Sequence, residues 1–276
     1  MKKTVMLMAL LNVSKRSLKN GLNRMKTRPY VLSIAGFDPS SGAGVTSDIK
    51  TFEQHEVYGL GVITATTYQN EDSFKGVNWL PFSELEQQLN VLAEKYTPNA
   101  IKIGLIESAS ILTKLTDWIQ RNWPEAFIVW DPVLKASAGF SFHEDLHLSI
   151  QSLLTGKVNL LTPNLPEYQL LFGETSGQEI SSQTGTSILI KGGHQKGDDV
   201  CDELYIPDAE PFKIKSKKIK GDLQKHGTGC ILSSAIVAEV AKGQSIQTAC
   251  SKAHFYVKKV IGSNHTLLAY HNELVD

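Results

Sequence analysis

Cysteine is scarce in this sequence: three stand among 276 residues, at Cys201, Cys230 and Cys250, with no C-x-x-C pair. An odd count without paired spacing excludes a disulfide framework and a zinc ribbon, and points to a reducing, cytoplasmic compartment. An excess of charge of one sign is also lacking. Lys+Arg and Asp+Glu both total 28, so the formal net charge is zero. That removes the electrostatic footprint of a nucleic-acid or membrane-surface binder, while a local phosphate site, which needs only a few groups, stays open. The apolar run at residues 5–13 is too short to cross a bilayer. Lysines precede it as in a secretory leader, but Ser14-Lys15-Arg16 stands where a small-residue cleavage site belongs. Met25 comes just before the first clear strand, so residues 1–24 read as an extension outside the fold and 25–276 as a single domain. Two nucleotide-binding signatures are missing as well. There is no G-x-x-x-x-G-K-[ST], and no G-x-G-x-x-G follows a strand, which argues against P-loop NTPases and nicotinamide-binding domains.

What the chain does contain is an alternation of strand-like and helix-like segments from Tyr30 onward. "YVLSIAG", "GVITATT", "AIKIGLI", "FIVWDPV", "VNLLTPN" and "SILIKGG" are apolar, β-branched runs that end in glycine, proline or polar residues. Between them lie amphipathic stretches. Val45, Ile49 and Phe52 form one stripe; Leu85, Leu89 and Leu92 form another, with Ser83 and Glu86 spaced as a capping box. "CDELYIP" and "FKIKSKKIK" read as a strand pair, and two helices close the chain, at residues 231–242 and from the Ser245 cap to about residue 260. Repeated β-α-β predicts a three-layer α/β/α sandwich around a mainly parallel sheet, with ligands bound beyond the carboxyl ends of the strands.

Three motifs carry candidate chemistry. "KHGTGCILSSA" (225–235) places Gly227, Thr228, Gly229 and Cys230 at the start of an apolar helix. Unpaired N–H groups there favour an anion and push a thiol toward thiolate, unless the cysteine merely packs behind a glycine turn. "AGFDPSSGAGVTSDIKTF" (35–52) lets backbone approach a ligand at its glycines and is bracketed by Asp38 and Asp48. "HEDLH" (143–147) fits H-E-x-x-H with Glu167 downstream, but Phe142, Leu146 and Ile150 make it read better as a surface helix than as a zinc site.

Seven stations, "SIAGFDPSSGAGVTSDIKTF", "VITATTYQN", "IKIGLI", "VWDPVLKASAG", "LLTPNLPE", "ILIKGGH" and "HGTGC", occur in one order. In order and spacing they resemble the hydroxymethylpyrimidine/phosphomethylpyrimidine kinases of thiamine biosynthesis, in the pyridoxal-kinase-like branch of the ribokinase-like superfamily. The resemblance implies transfer of a phosphoryl group from Mg-ATP to a pyrimidine, by a homodimer. It implies that Gly36, Asp48 and Gln69 line the pyrimidine pocket, with Leu105 and Val133 as apolar walls. Asn164 and Glu167 would hold Mg²⁺ and phosphates, often through water, with Asp131 and Lys191 near the phosphates. Gly227, Thr228 and Gly229 would form the anion hole and Cys230 the base. The chain departs from the pattern at three places: Lys135 comes early, Lys225 stands where threonine is usual, and the stretch 173–187 looks too short for its usual helix. A pyridoxine/pyridoxal kinase and a non-catalytic precursor-binding protein are the alternative readings. A chain starting at Met25 is expected to keep its Tm and its activity; a loss of more than about 1 kcal/mol of stability would mean that the extension packs on the core.

Overall fold

A computed structural model describes residues 27–134, 150–193, 199–219 and 223–272. The N-terminal extension, Lys135 and the H-E-x-x-H stretch lie outside them. The strands in chain order are β1 (Tyr30–Phe37), β2 (Tyr58–Gln69), β3 (Phe74–Trp79), β4 (Ala100–Ile103), β5 (Phe127–Trp130), β6 (Leu160–Leu161), β7 (Ser187–Ile190), β8 (Asp199–Tyr205) and β9 (Phe212–Lys217). They form one sheet in the order β3-β2-β1-β4-β5-β6-β7-β8-β9. The six central strands are parallel. β3 is antiparallel on one edge, and β8 and β9 are antiparallel on the other.

The helices are α1 (Gly44–Gln54), α2 (Phe82–Ala93), α3 (Ala109–Asn122), α4 (Ile150–Leu154), α5 (Leu165–Phe172), α6 (Gly177–Thr184), α7 (Thr228–Ala241) and α8 (Ile246–Ile261). Because successive strand side chains point to opposite faces, each central strand feeds two cores. Leu32, Ile34, Ile101, Ile103, Ile128 and Trp130 pack with Leu89 of α2 and Leu115 of α3. Val31, Ala100 and Val129 pack the other way, with Phe52 of α1, Ile236 of α7 and Ala249 of α8. Along α7 every residue from Ile231 to Glu239 is buried, which accounts for a helix that is apolar nearly all round. This is the predicted three-layer sandwich.

The strand order reverses beside β1: β2 lies on one side and β4 on the other. Such a reversal leaves a crevice at the carboxyl ends, because the connections leave the two sides of that point in opposite directions.

Two local expectations change, and one strand was not foreseen. The Ser83/Glu86 capping box does not form, because α2 starts earlier: Pro81 is the N-cap, without a side-chain cap, and Ser83 lies inside the helix. The stretch 173–187 does hold a helix, α6. Ser176 caps it by accepting the Glu179 N–H, and Gly185, at φ 70°, ends it in the left-handed conformation. β3 was not legible: "FKGVNW" carries too few β-branched residues to stand out, and its pairing with β2 makes it a strand.

Glu239 near the end of α7 has a side chain only 4% exposed. Its carboxylate pairs with His55 at 2.9 Å, with Lys252 at 2.8 Å and with Lys242. Burial alone would raise its pKa, but the bonds from Lys242, Lys252 and His55 pull it down to about 2. The folded value lies below the unfolded one, so the stabilisation is present above about pH 4.5 and is lost as pH falls toward 2. The lysine partners are 31% and 49% exposed, so solvent screening reduces the effect. Glu239→Gln is expected to cost about 1–2 kcal/mol at pH 7. The Tm difference from the parent chain should close as pH drops through 4 to 2; a pH-independent difference would rule out the charge as its cause.

Candidate active site

The crevice has a volume of about 1230 Å³ and opens where β1, β2, β4, β5 and β7 end. Two glycine-rich segments from opposite ends of the chain meet there. Gly44 adopts φ 63°, and a Cβ on it would lie 2.2 Å from the Gly36 carbonyl oxygen. Gly227 adopts φ 76°, and a Cβ on it would lie 2.1 Å from the Gly42 carbonyl oxygen. Only glycine permits both the left-handed backbone and the approach. Asp38 fastens the junction. It is 1% exposed, accepts from the Ser40 and Ala43 N–H groups at 2.9 Å each, and pairs with His226 Nε2 at 2.9 Å. Burial raises its pKa, but the bonds from His226, Ser40 and Ala43 outweigh it and hold the carboxyl below its usual range.

α7 starts at Thr228, three residues before the position read from sequence, with Gly227 as N-cap and no side chain capping it. It has no acidic residue in its first turn. The first-turn N–H groups are therefore available to an anion. Lys191 stands beside them; a Cβ on Gly229 would lie 3.2 Å from its Nζ. Lys191 bonds Asp131 at 2.9 Å and lies 4.0 Å from Glu167. Burial would lower the lysine pKa, but Asp131 and Glu167 raise it, so the ammonium is retained. Asp131 also accepts from Thr162 and from Ser233 of α7, at 3.2 Å each. Burial would raise its pKa, and Lys191 and Lys102 more than compensate, so it stays a carboxylate.

Asn164 and Glu167 turn out to be a capping box for α5, each side chain bonding the other's backbone N–H at 2.8 Å. Burial is the main cause of a raised Glu167 pKa; Asp131 adds to it and Lys191 opposes it. These oxygens are hard donors, and the cap leaves each with lone pairs to spare. No group of three or more His, Cys, Asp or Glu side chains among the described residues could hold a metal by itself. The donor set therefore fits Mg²⁺ that keeps its waters and shares phosphate oxygens, not a closed protein cage.

At the other end of the crevice, Gln69 donates its amide to Thr67 Oγ1 at 2.9 Å, which fixes the rotamer and leaves its carbonyl oxygen free. Leu105 closes on Gly36, where a Cβ would come within 3.0 Å of its Cδ2. Val133 completes the apolar wall. The crevice thus unites Gly36, Gln69, Leu105, Val133, Asp131, Asn164, Glu167, Lys191, Gly227, Thr228, Gly229 and Cys230.

Asp48 does not join them. Its side chain is fully buried behind the crevice, bonded to Lys102 and Ser33 at 2.5 Å each and to Ser234 at 2.7 Å. The pocket-lining role inferred from the resemblance gives way to a place under the first turn of α7. Cys230 departs from expectation too. Burial, with Asp48 and Asp131 nearby, pushes the thiol pKa up, and Lys102 and the Gly44 N–H offset only part of this. Proximity to a helix N-terminus is outweighed, so a thiol is the resting species. Sequence reading also missed Lys102, His226, Ser233 and Ser234. The signal for Lys102 was present, since one lysine interrupts the otherwise apolar strand "AIKI".

The chain matches the family described as phosphomethylpyrimidine kinase over residues 38–274. It is 33% identical over 250 residues to a hydroxymethylpyrimidine/phosphomethylpyrimidine kinase of Bacillus subtilis, covering 85% of this chain and 92% of that one. A thiamine biosynthesis multifunctional protein of Corynebacterium efficiens is 29% identical over 248 residues, and the chain spans 33% of its length. The solved structure of the Staphylococcus aureus pyridoxal kinase in complex with ADP superposes with a TM-score of 0.79 at 25% identity, over 91% of this chain and 96% of that one.

Because the thiol pKa is raised, alkylation of Cys230 by iodoacetamide, followed at that peptide by mass spectrometry, is expected to keep accelerating above pH 9. A plateau near neutrality would show a stabilised thiolate instead.

Proposed function

The chain belongs to the phosphomethylpyrimidine kinase family, and from that premise we infer that it transfers the γ-phosphoryl group of ATP to 4-amino-5-hydroxymethyl-2-methylpyrimidine and then to its monophosphate, in thiamine biosynthesis. The carrying observation is the pairing of two half-sites in one crevice. One is an uncapped helix N-terminus flanked by Lys191; the other is an apolar slot with a single oriented amide, Gln69.

The acceptor oxygen forms a bond to the γ-phosphorus as the bond from that phosphorus to the β,γ-bridging oxygen breaks; ADP leaves and one proton is released. With Gly227 as N-cap, the anion hole moves on by one residue from the expected 227–229: the N–H groups of Thr228, Gly229 and Cys230 and the Lys191 ammonium face the charge that spreads over the transferring group. Asn164, Glu167 and Asp131 would hold Mg²⁺, which when bound would neutralise phosphate charge. Cys230 accepts the hydroxyl proton. Because its thiol must itself ionise first, and arriving phosphate opposes that, the transfer comes late and the base acts weakly. Asp48 serves this site through Lys102 and the helix rather than by touching pyrimidine. A cytoplasmic homodimer is the assembly that fits this reading.

A pyridoxal kinase is the second reading, supported by the likeness to the ADP-bound Staphylococcus aureus enzyme. A coupled ADP-release assay with hydroxymethylpyrimidine, its monophosphate and pyridoxal separates the two; turnover of pyridoxal alone would overturn the first. Gln69→Leu is expected to lower kcat/KM for hydroxymethylpyrimidine by about 10²-fold or more while KM for ATP hardly moves. Cys230→Ala should lower kcat by about 10²–10⁴-fold and Cys230→Ser by less. Near-normal turnover by Cys230→Ala would leave catalysis to the anion hole and the metal.

A further inference from the structure

The residue directly before the anion-hole loop is a lysine, Lys225, only 8% exposed. A charged side chain so deep is ordinarily paired, yet among the described residues it meets no carboxylate. Its ammonium is instead surrounded by oxygens of one short turn near the C-terminus. It donates to the Asn264 carbonyl at 2.6 Å, to Asn264 Oδ1 at 2.9 Å, and to the Thr266 carbonyl.

That turn is itself ordered. Asn264 Oδ1 also accepts from the Thr266 N–H and hydroxyl at 2.8 and 2.9 Å, and its Nδ2 donates to the Leu268 carbonyl at 2.9 Å. The neighbouring His226 N–H donates to the Leu267 carbonyl at 2.9 Å. Leu268 reaches the first glycine loop, where a Cβ on Gly42 would lie 2.9 Å from its Cδ2 and 2.5 Å from the His226 ring. The turn 264–268 thus covers both glycine segments at their junction. The His226 side chain is held from the opposite side by Asp38. The loop 225–229 is therefore held through three groups, the Lys225 ammonium, the His226 N–H and the His226 ring.

We propose that Lys225 is a positioning residue for phosphoryl transfer: its ammonium, bound by the three oxygens of Asn264 and Thr266, latches the C-terminal turn onto the anion-hole loop and holds the N–H groups of residues 228–230 in line with the transferring phosphate. The ammonium satisfies carbonyl oxygens that would otherwise converge without a donor, and the turn fixes a loop that Gly227 and Gly229 leave conformationally free. Lys225 borders the crevice, but its ammonium is engaged by the C-terminal turn, and in this proposal it acts through the backbone that follows it.

The kinetic part of this proposal rests on the kinase reading above; the exchange part does not. Lys225→Met keeps the aliphatic length and removes the donor. The full-length variant is expected to stay folded, and hydrogen–deuterium exchange of the peptide covering 226–230 should be at least tenfold faster than in the parent. Its kcat should fall tenfold or more, with KM for hydroxymethylpyrimidine within twofold. In Lys225→Ala, added propylamine should restore part of kcat, which a merely structural loss would not allow. If Lys225→Met does not fold, Asn264→Ala removes one of the three acceptors and is expected to move exchange and kcat in the same direction by a smaller factor. Unchanged exchange at 226–230 in a folded variant overturns the latch. So does a kcat loss that propylamine leaves untouched while Lys225→Met keeps parental exchange. A parent chain that phosphorylates nothing would instead sink the kinase reading and leave the exchange comparison intact.

Discussion

A fully buried ion pair between Lys102 and Asp48 organises the site from below. Two charges out of water are tolerated only when they meet each other and further hydrogen bonds. Here Ser33 and Ser234 supply those bonds. The four residues come from β4, α1, β1 and α7, so the pair joins two neighbouring central strands to the two helices that carry the glycine segments. Burial would lower the lysine pKa, and Asp48 raises it instead, so the ammonium is retained. Removing one partner would leave the other uncompensated, at a cost of about 3–5 kcal/mol. Apolar residues could fill the same volume, but they would not demand one orientation of α7.

That orientation is the functional consequence. Ser233 bonds Asp131 and Ser234 bonds Asp48, so adjacent residues of one helix turn engage carboxylates on two sides. Lys102 also reaches the Cys230 carbonyl at 3.4 Å. The helix can satisfy all three only in one rotation, with its uncapped N-terminus in the crevice. The same polar layer explains the thiol. Burial and two nearby carboxylates favour its neutral form against Lys102 and the Gly44 N–H, so the layer that keeps its own carboxylates and lysines charged keeps the thiol neutral.

Close approach of backbone governs the surface of the site as charge governs its floor. The first glycine segment folds back on itself where Gly44 meets Gly36, and the two segments interlock where Gly227 meets Gly42, at distances that no Cβ allows. They can meet because the reversal of strand order puts the β1 end at the switch point, while α7, late in the chain, returns across the same sheet. Asp38, His226 and the C-terminal turn then hold the junction. A crevice thus assembled from distant segments has an uncapped helix N-terminus at one end and an apolar wall at the other.

Much of the fold was legible in order along the chain. Strand runs such as "AIKI" and "FIVW", the Ser245 cap, and the final helix pair show local periodicity and local hydrogen bonding, which neighbouring residues decide among themselves. The glycine stations and the cysteine at the head of α7 were legible for the same reason. Other features depended on partners far away. Phe74–Trp79 became a strand through β2, and Asp48 left the pocket because Lys102 and Ser234 claimed it. The Cys230 thiol rose in pKa because the fold buried it near two carboxylates. The sequence by itself determined which segments could be strands, helices and glycine turns, since backbone preference and side-chain period act over a few residues. Only the tertiary structure decided which charges are buried together, because desolvation and ion pairing depend on distances between segments that the order of residues does not contain.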